Sequence, residues 1–282
     1  MKYDLHSHSN HSDGILSPQD LVTRAHAQGV DVLALTDHDI VTGLEEAAKT
    51  AGQYGMRLIP GVEISVSWGR RVVHIVGLDI DPESAALQSQ LADLQQARAE
   101  RAQRIGSKLQ KAGIARAYDH AMELAGGGNV TRTHFARVVV AQGKVATEAQ
   151  AFDKYLAQGK VAYVQTQWAT LQQALDMIAG AGGVSVVAHP GRYKMTRTML
   201  KELLREFRDL GGAAMEVVNG GLPADMVMAN AALARQFQLL ASLGSDFHHP
   251  ENRWIELGRL APLPPDLQPV WTALSPDRRI SL

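Results

Sequence analysis

The sequence predicts an α/β fold whose mainly parallel sheet closes into a barrel. Seven strand-like runs recur, at residues 2–9, 31–39, 57–65, 71–80, 183–191, 213–221 and 239–248, each ending in a polar cluster. Stretches of helical period lie between most of them, and such alternation argues for parallel strands covered by helices. The first and last runs carry matching pairs, His6-Ser7-His8 and Asp246-Phe247-His248. These pairs meet at one rim if the first and last strands are neighbours, which requires closure.

Each element has a local reason. Several runs are continuously apolar, as strands buried on both faces require. Ser17 and Pro18 open the first helix, with Ser17 as N-cap and Pro18 at the first helical position, and it runs to about Gly29. Thr42 is expected to open the second. The third and fourth runs are joined only by Ser67-Trp68-Gly69-Arg70, a link suited to a hairpin. Helical stretches at 168–181, 196–210 and 223–237 accompany the last three strands. Successive strands lie about 25–30 residues apart, but about 100 separate the fourth from the fifth. That gap reads as helices at 84–112, 116–125, 131–142 and 147–157. It is taken as an inserted, basic, substrate-binding subdomain, 84–164, within a barrel domain of 1–83 and 165–282.

Composition narrows the function. The chain has 282 residues, 45% hydrophobic and 20% charged, enough apolar material for a sizeable core. Its net charge is −1, yet residues 98–160 carry 11 Lys+Arg against 5 Asp+Glu, so a basic insertion sits on an acidic body. There is no cysteine, which excludes disulfides, thiolate zinc sites and a thiol nucleophile. No apolar run approaches the roughly 18 residues of a membrane span, and the N-terminus lacks an apolar signal core. A soluble, cytoplasmic protein is expected, with no membrane, double-stranded DNA or obligate protein partner.

With 11 histidines and no cysteine, a metal site must be built from imidazole and carboxylate. On a strand, residues i and i+2 share a face, so His6 and His8 can grip one ion. Asp13, His38, Glu63, His74, His189, Asp246 and His248 also fall in the first loop, at strand ends or in the hairpin, where barrels of parallel strands carry their active sites. Nine such residues imply at least two ions, with room for three, because one ion takes four to six ligands. Their chemistry suits manganese first, with zinc or iron as alternatives, over calcium. His11, His26, His120 and His249 read as surface or helix residues. Asp37 and Asp39 read as partners of ligands or as an N-cap for the helix near Thr42.

The combined motifs His-x-His, Thr-Asp-His-Asp (36–39), Gly-Val-Glu-Ile-Ser (61–65), Ala-His-Pro-Gly (188–191) and Gly-Ser-Asp-Phe-His (244–248) resemble those of the PHP (polymerase and histidinol phosphatase) family. The resemblance implies a distorted seven-stranded β/α barrel, a trinuclear site and phosphoester hydrolysis. By it, one ion is held by His6, His8, Glu63 and Asp246. A second shares Glu63 and takes His74 and His189, and a third uses Asp13, His38 and His248. The segments Arg-Ala-Glu-Arg-Ala-Gln-Arg-Ile (98–105) and Asn-Val-Thr-Arg-Thr-His-Phe-Ala (129–136) resemble the branch that removes the 3'-phosphate of nucleoside 3',5'-bisphosphates and acts as a 5'-3' exoribonuclease on short RNA.

The residues of the insertion point the same way. Arg98, Arg101, Arg104 and Lys108 share one helix face, and Gly126-Gly127-Gly128-Asn129 precedes a helix near Thr131 whose N-terminus can seat an anion. Arg132, His134 and Arg192 are expected to join Arg101 and Arg104 in binding substrate. The expected nucleophile is a metal-bridging hydroxide held by Glu63, Asp246 and Asp13. The expected substrate is a nucleotide or short RNA. Three alternatives stay open: another phosphomonoesterase such as a histidinol phosphatase, a metal-dependent amidohydrolase, and a non-catalytic nucleic-acid binding module.

Overall fold

A computed structural model describes residues 1–276. All seven expected strands form: β1 (Tyr3–Asp4), β2 (Val32–Leu35), β3 (Arg57–Trp68), β4 (Arg71–Leu78), β5 (Val184–Val187), β6 (Ala214–Asn219) and β7 (Leu240–Gly244). β1 is shorter than the expected 2–9: His6 and His8 follow it, on either side of a single bridge from Ser7 to Phe247. They lie side by side in chain order. β3 and β4 form the expected antiparallel hairpin, β4 also runs against β5, and the other neighbours are parallel. β3 continues through Trp68, so the turn is only Gly69-Arg70.

The sheet closes between its ends. Leu5 N–H donates to Leu243 O at 3.1 Å, Asp246 N–H to His6 O at 2.9 Å and His8 N–H to Phe247 O at 3.0 Å. Buried Asp4 fastens the seam by accepting the N–H groups of Ser245 and Gly258, both at 2.8 Å. The seam is so close that a Cβ on Gly244 would stand 2.3 Å from His6 Cβ, so only glycine fits there.

Strand alternation divides the barrel interior along its axis. Val32, Ala34, Ile59, Val76, Leu78, Val186 and Ala214 form an apolar cluster with Val270 and Leu274 from the C-terminal segment. Two-residue steps from these positions reach the mouth: Ile59 to Gly61 to Glu63, Val76 to His74, Ala214 to Glu216. The same inward faces therefore carry core at one end and ionisable groups at the other.

Helices α1 (Pro18–Ala27), α2 (Leu44–Gln53), α7 (Leu171–Gly180), α8 (Arg197–Asp209) and α9 (Ala224–Phe237) accompany the sheet. Ser17 caps α1 through Asp20 N–H and Pro18 stands at its start, as expected. Thr42 does not cap α2, which begins at Leu44 after Gly43; its hydroxyl instead meets His11 Nδ1 at 2.7 Å.

Between β4 and β5 lie α3 (Ala85–Lys111), α4 (Ala117–Ala125), α5 (Arg132–Ala141) and α6 (Glu148–Ala151), the last running into a π-helical turn, Phe152–Leu156. α3 belongs to two cores. Leu87, Leu91 and Leu94 pack with the barrel's helices, whereas Ala102, Ile105 and Leu109 pack with Phe135, Val139 and Leu156 in a separate cluster. Arg98 stands at the changeover.

Gly244→Ala is expected to wedge the β1–β7 seam open. Overpacking of this kind costs about 1–3 kcal/mol, a fall of roughly 2–5 °C in the thermal midpoint of a chain this size. An unchanged midpoint in thermal denaturation would show that the seam is slack.

Candidate metal centre

The nine side chains singled out in the sequence converge on the barrel mouth. His6 Nε2 and His8 Nε2 lie 3.0 Å apart. His6 Nε2 is 3.3 Å from Glu63 Oε2 and 3.4 Å from Asp246 Oδ1. For His8 Nε2 the same distances are 3.3 and 3.1 Å. Glu63 faces two ways. Its Oε1 lies 3.0 Å from both His74 Nδ1 and His189 Nε2, and its Oε2 lies 3.0 Å from His38 Nδ1. Asp13 Oδ1 lies 3.2 Å from His248 Nε2 and 3.7 Å from His38 Nε2.

Three overlapping groups keep their donor atoms within 4.8 Å of one another: His8, Asp13, His38 and His248; His6, His8 and Glu63; His38, Glu63 and His74. His8 and His38 each stand in two groups, so the donors form one continuous cluster.

This donor set fits divalent cations. Buried Asp13 Oδ1, His38 Nδ1, Glu63 Oε2 and His74 Nδ1 have no hydrogen-bond partner. Buried polar atoms without partners are costly, and a cation is the partner that imidazole nitrogens and carboxylate oxygens share. When His6 is neutral, its Nδ1–H donates to Glu216 Oε1 at 2.6 Å, leaving the Nε2 lone pair directed at the cluster.

The electrostatics agree. Burial opposes charge on His6, yet Glu216, Glu63 and Asp246 outweigh it and hold its pKa well above the usual imidazole value. Burial likewise opposes charge on His8, but the Asp246 and Glu63 carboxylates beside its ring push its pKa up to about 10. His38 goes the other way, well below its usual value, chiefly through burial. Despite burial, the surrounding positive groups hold Glu63, Asp13 and Asp246 well below the usual carboxylate range. Without metal, protons balance the carboxylates; a metal ion must displace them.

Three carboxylates support the cluster, of which Glu216 was not singled out in the sequence. Glu216 is buried on β6, takes the His6 ring through Oε1, and accepts His189 N–H through Oε2 at 2.6 Å. One carboxylate thus orients two of the nine, and its only sequence signal is a lone acid in an apolar run. Asp37, expected as a supporting partner, accepts from Ser9 N–H and from the hydroxyls of Ser9 and Ser12, which shapes the loop to Asp13. Asp39 does not cap a helix. It accepts from Ser65 N–H at 2.7 Å and from Arg98 Nε at 2.6 Å, tying α3 to the mouth. Asp39, His189 and Asp246 all hold positive φ, at 53°, 30° and 54°, so backbone strain concentrates at the mouth.

The insertion closes over one side. Asn129 Nδ2 donates to His38 O at 2.8 Å, Thr133 Oγ1 to Asp13 Oδ2 at 3.1 Å and Arg137 to Asp13 O at 2.9 Å. A cleft beside Asp13, His38 and His74 is walled by Arg98, Arg101, Arg132 and Trp168. It opens into a cavity of about 530 Å³ that Arg101, Arg132 and Trp168 also line, with Arg71, Tyr163 and Lys194.

Other expected substrate contacts differ in placement. Arg104 is exposed on α3 and lines neither the cleft nor the cavity. His134 is buried with its ring turned back: Nδ1 accepts Thr131 N–H at 3.0 Å and closes a capping box. Burial pushes its pKa down to about 4, so it carries no charge for a phosphate at neutral pH. Gly128, the last of the glycine run, serves packing. A Cβ on Gly128 would stand 2.5 Å from Asn10 O, and Asn129 N–H is spent on His11 O. Arg192 is ion-paired to Asp246.

Comparison with known proteins follows this geometry. The PHP domain model matches residues 4–218. A 5'-3' exoribonuclease of Haemophilus influenzae is 48% identical over 270 residues, covering 96% of this chain and 98% of its own. A 3',5'-nucleoside bisphosphate phosphatase of Chromobacterium violaceum is 46% identical over 272 residues, covering 96% and 95%. A solved structure from Chromobacterium violaceum, described as an amidohydrolase with bound sulfate and no metal, superposes with a TM-score of 0.92. It is 45% identical and covers 97% of this chain and 95% of its own.

Glu216→Gln is expected to weaken divalent-metal affinity by about 10- to 100-fold, because it loosens His6 and His189 together. Titration of the metal-free protein with Mn²⁺ checks this. Unchanged affinity in a folded variant would mean that Glu216 only fills the strand.

Proposed function

Because the chain belongs to the PHP family of metal-dependent phosphoesterases, and is therefore a hydrolase, we propose that it removes the 3'-phosphate of nucleoside 3',5'-bisphosphates. The products are a nucleoside 5'-monophosphate and phosphate. The same cleavage, applied to the first 3'-linked phosphate of short RNA, releases 5'-mononucleotides. The names of the two relatives support this pair of substrates.

The observation that carries the reading is two half-buried cations beside the metal-type cluster. Arg101 and Arg132 have no carboxylate within ion-pair distance among the described residues, and Arg101 Nε has no hydrogen-bond partner. Burial, then repulsion from Arg132 and Arg98, pushes the Arg101 pKa down to about 9, and burial also lowers that of Arg132. Guanidiniums largely withdrawn from water without an acid partner are costly unless an anion arrives. The 5'-phosphate supplies one, and with it seated the 3'-phosphate lies over the cluster.

In this reading the cluster holds two or three ions, manganese first. His6, His8, Glu63 and Asp246 hold one; Glu63, His74 and His189 a second; Asp13, His38 and His248 a third. Bound divalent cations supply neutralisation of phosphoryl charge and acidify water at the site. The chain's residues do the rest. Glu63, Asp246 and Asp13 place the ions, Arg192 leaves Asp246 for a phosphoryl oxygen, and Arg101 and Arg132 fix the distance between the two phosphates. A substrate whose far end is cationic or uncharged, as in the histidinol phosphatase and amidohydrolase readings, leaves both guanidiniums without a partner.

Arg132→Ala should lower kcat/KM on adenosine 3',5'-bisphosphate by about 10- to 150-fold, the worth of a charge-assisted contact, and on adenosine 3'-monophosphate far less. Steady-state kinetics on both substrates decide the point; equal losses contradict a role at the remote phosphate.

Activity should also fall below about pH 6, since protons reclaim imidazoles that must be neutral to hold metal. The raised pKa values of His6 and His8 in the metal-free protein fix the sign: acid favours the proton-loaded cluster. Added Mn²⁺ should move the acid limb of the pH–rate profile lower. An optimum near about pH 5 that ignores Mn²⁺ would point to metal-free chemistry.

A further inference from the structure

We infer that Phe152 and Trp168 are positioning residues that set selectivity for a second phosphate, by holding Arg132 and Arg101 on aromatic faces instead of carboxylates. The inference rests on the bisphosphate reading above.

An arginine in a folded interior is ordinarily held by an acid. Arg98 shows that arrangement: its guanidinium meets Asp39 and Ser65 at 2.6 and 2.7 Å. That charge is neutralised, and Arg98 serves as a clamp. One helical turn on, Arg101 is held differently. Its guanidinium carbon lies 5.4 Å from the centre of the Trp168 ring. Arg132, from another helix, stands 5.6 Å from the centre of the Phe152 ring. The negative face of an aromatic ring attracts a cation without cancelling its charge or occupying its N–H donors. A carboxylate would do both, and would compete with a phosphate for the same fork of hydrogen bonds.

The rings are themselves fixed. Trp168 is buried, its backbone N–H donates to Ser67 Oγ at 2.9 Å, and the following residue, Ala169, bridges to Val66 on β3. Arg98 also stacks over Trp168 at 5.0 Å, so the clamp and the free cation share one indole. Phe152 opens the π-helical turn and is part-buried against the insertion's own core. A π-helical turn shifts side-chain register relative to the preceding α-helix, and such turns often occur at functional sites. Both rings line the cleft with Arg101 and Arg132. Barrel and insertion therefore contribute one ring each, although both guanidiniums belong to the insertion.

The test is calorimetric binding of adenosine 5'-monophosphate to the metal-loaded protein, with inorganic phosphate present to fill the reaction centre and adenosine as control. Phe152→Leu should raise the Kd for the monophosphate roughly 3- to 30-fold, the range of a desolvated cation–aromatic contact. Phe152→Tyr, which keeps the ring, should bind like the wild type. In an Arg132→Ala background, Phe152→Leu should add no further loss, because the ring acts only through that guanidinium. Phe152→Met, similar in bulk and without a ring, replaces the leucine variant should leucine lower the thermal midpoint. Wild-type affinity in the ringless variants, or an equal loss in the Arg132→Ala background, overturns the positioning role. Wild-type protein that binds monophosphate no better than adenosine would instead overturn the bisphosphate reading on which the inference stands.

Discussion

Three carboxylates and six imidazoles share the mouth of a closed barrel, and most are almost wholly withdrawn from water. That burial is the constraint on which the rest of the structure depends. Carboxylates this close repel one another, and a low-dielectric mouth magnifies the repulsion. Protons on His6 and His8 relieve it in the metal-free protein; divalent cations relieve it with more charge per site. The fold is arranged to keep the frustration in place. Glycine at 244 lets β1 and β7 approach closely enough to bring His6 beside Asp246. Glu216 fixes the His6 imidazole and the backbone N–H of His189, and the backbone at His189 and Asp246 is held at positive φ.

The insertion completes the site by a different economy of charge. α3 is anchored in the barrel's core at one end and in a second core at the other, with the Arg98–Asp39 pair at the changeover. A buried pair of this kind contributes little net stability, but breaking it leaves a stranded charge, so it fixes how the two bodies meet. Beyond that clamp the insertion offers Arg101 and Arg132 to the cleft with no carboxylate in ion-pair contact among the described residues. Metal-type residues at the barrel mouth and unpaired guanidiniums across the cleft are complementary to a molecule with two phosphates.

Much of this was readable from residues alone. The strands announced themselves because buried parallel strands are apolar runs closed by polar ends. The metal-type residues announced themselves because a two-residue strand period places His6 with His8 on one face. The hairpin followed from the shortness of its link. Supporting contacts were hidden because they span the chain: Glu216 lies 210 residues from His6, and Arg98 lies 59 from Asp39. His134 looked like a phosphate ligand because a first-turn position suits anions. The same position lets its ring accept the N-cap N–H, and burial favours that local bond over a charge. The glycine run looked like an anion cradle, yet Gly128 is there because the loop bearing His11 leaves no room for a side chain.

The most direct test of a cluster built for cations is anomalous diffraction at the manganese edge from crystals soaked in Mn²⁺ with adenosine 5'-monophosphate and phosphate. Two or three anomalous peaks should lie among His6, His8, Asp13, His38, Glu63, His74, His189, Asp246 and His248, with the nucleotide's phosphate against Arg101 and Arg132. A single weak peak, or peaks outside these nine side chains, would contradict the account.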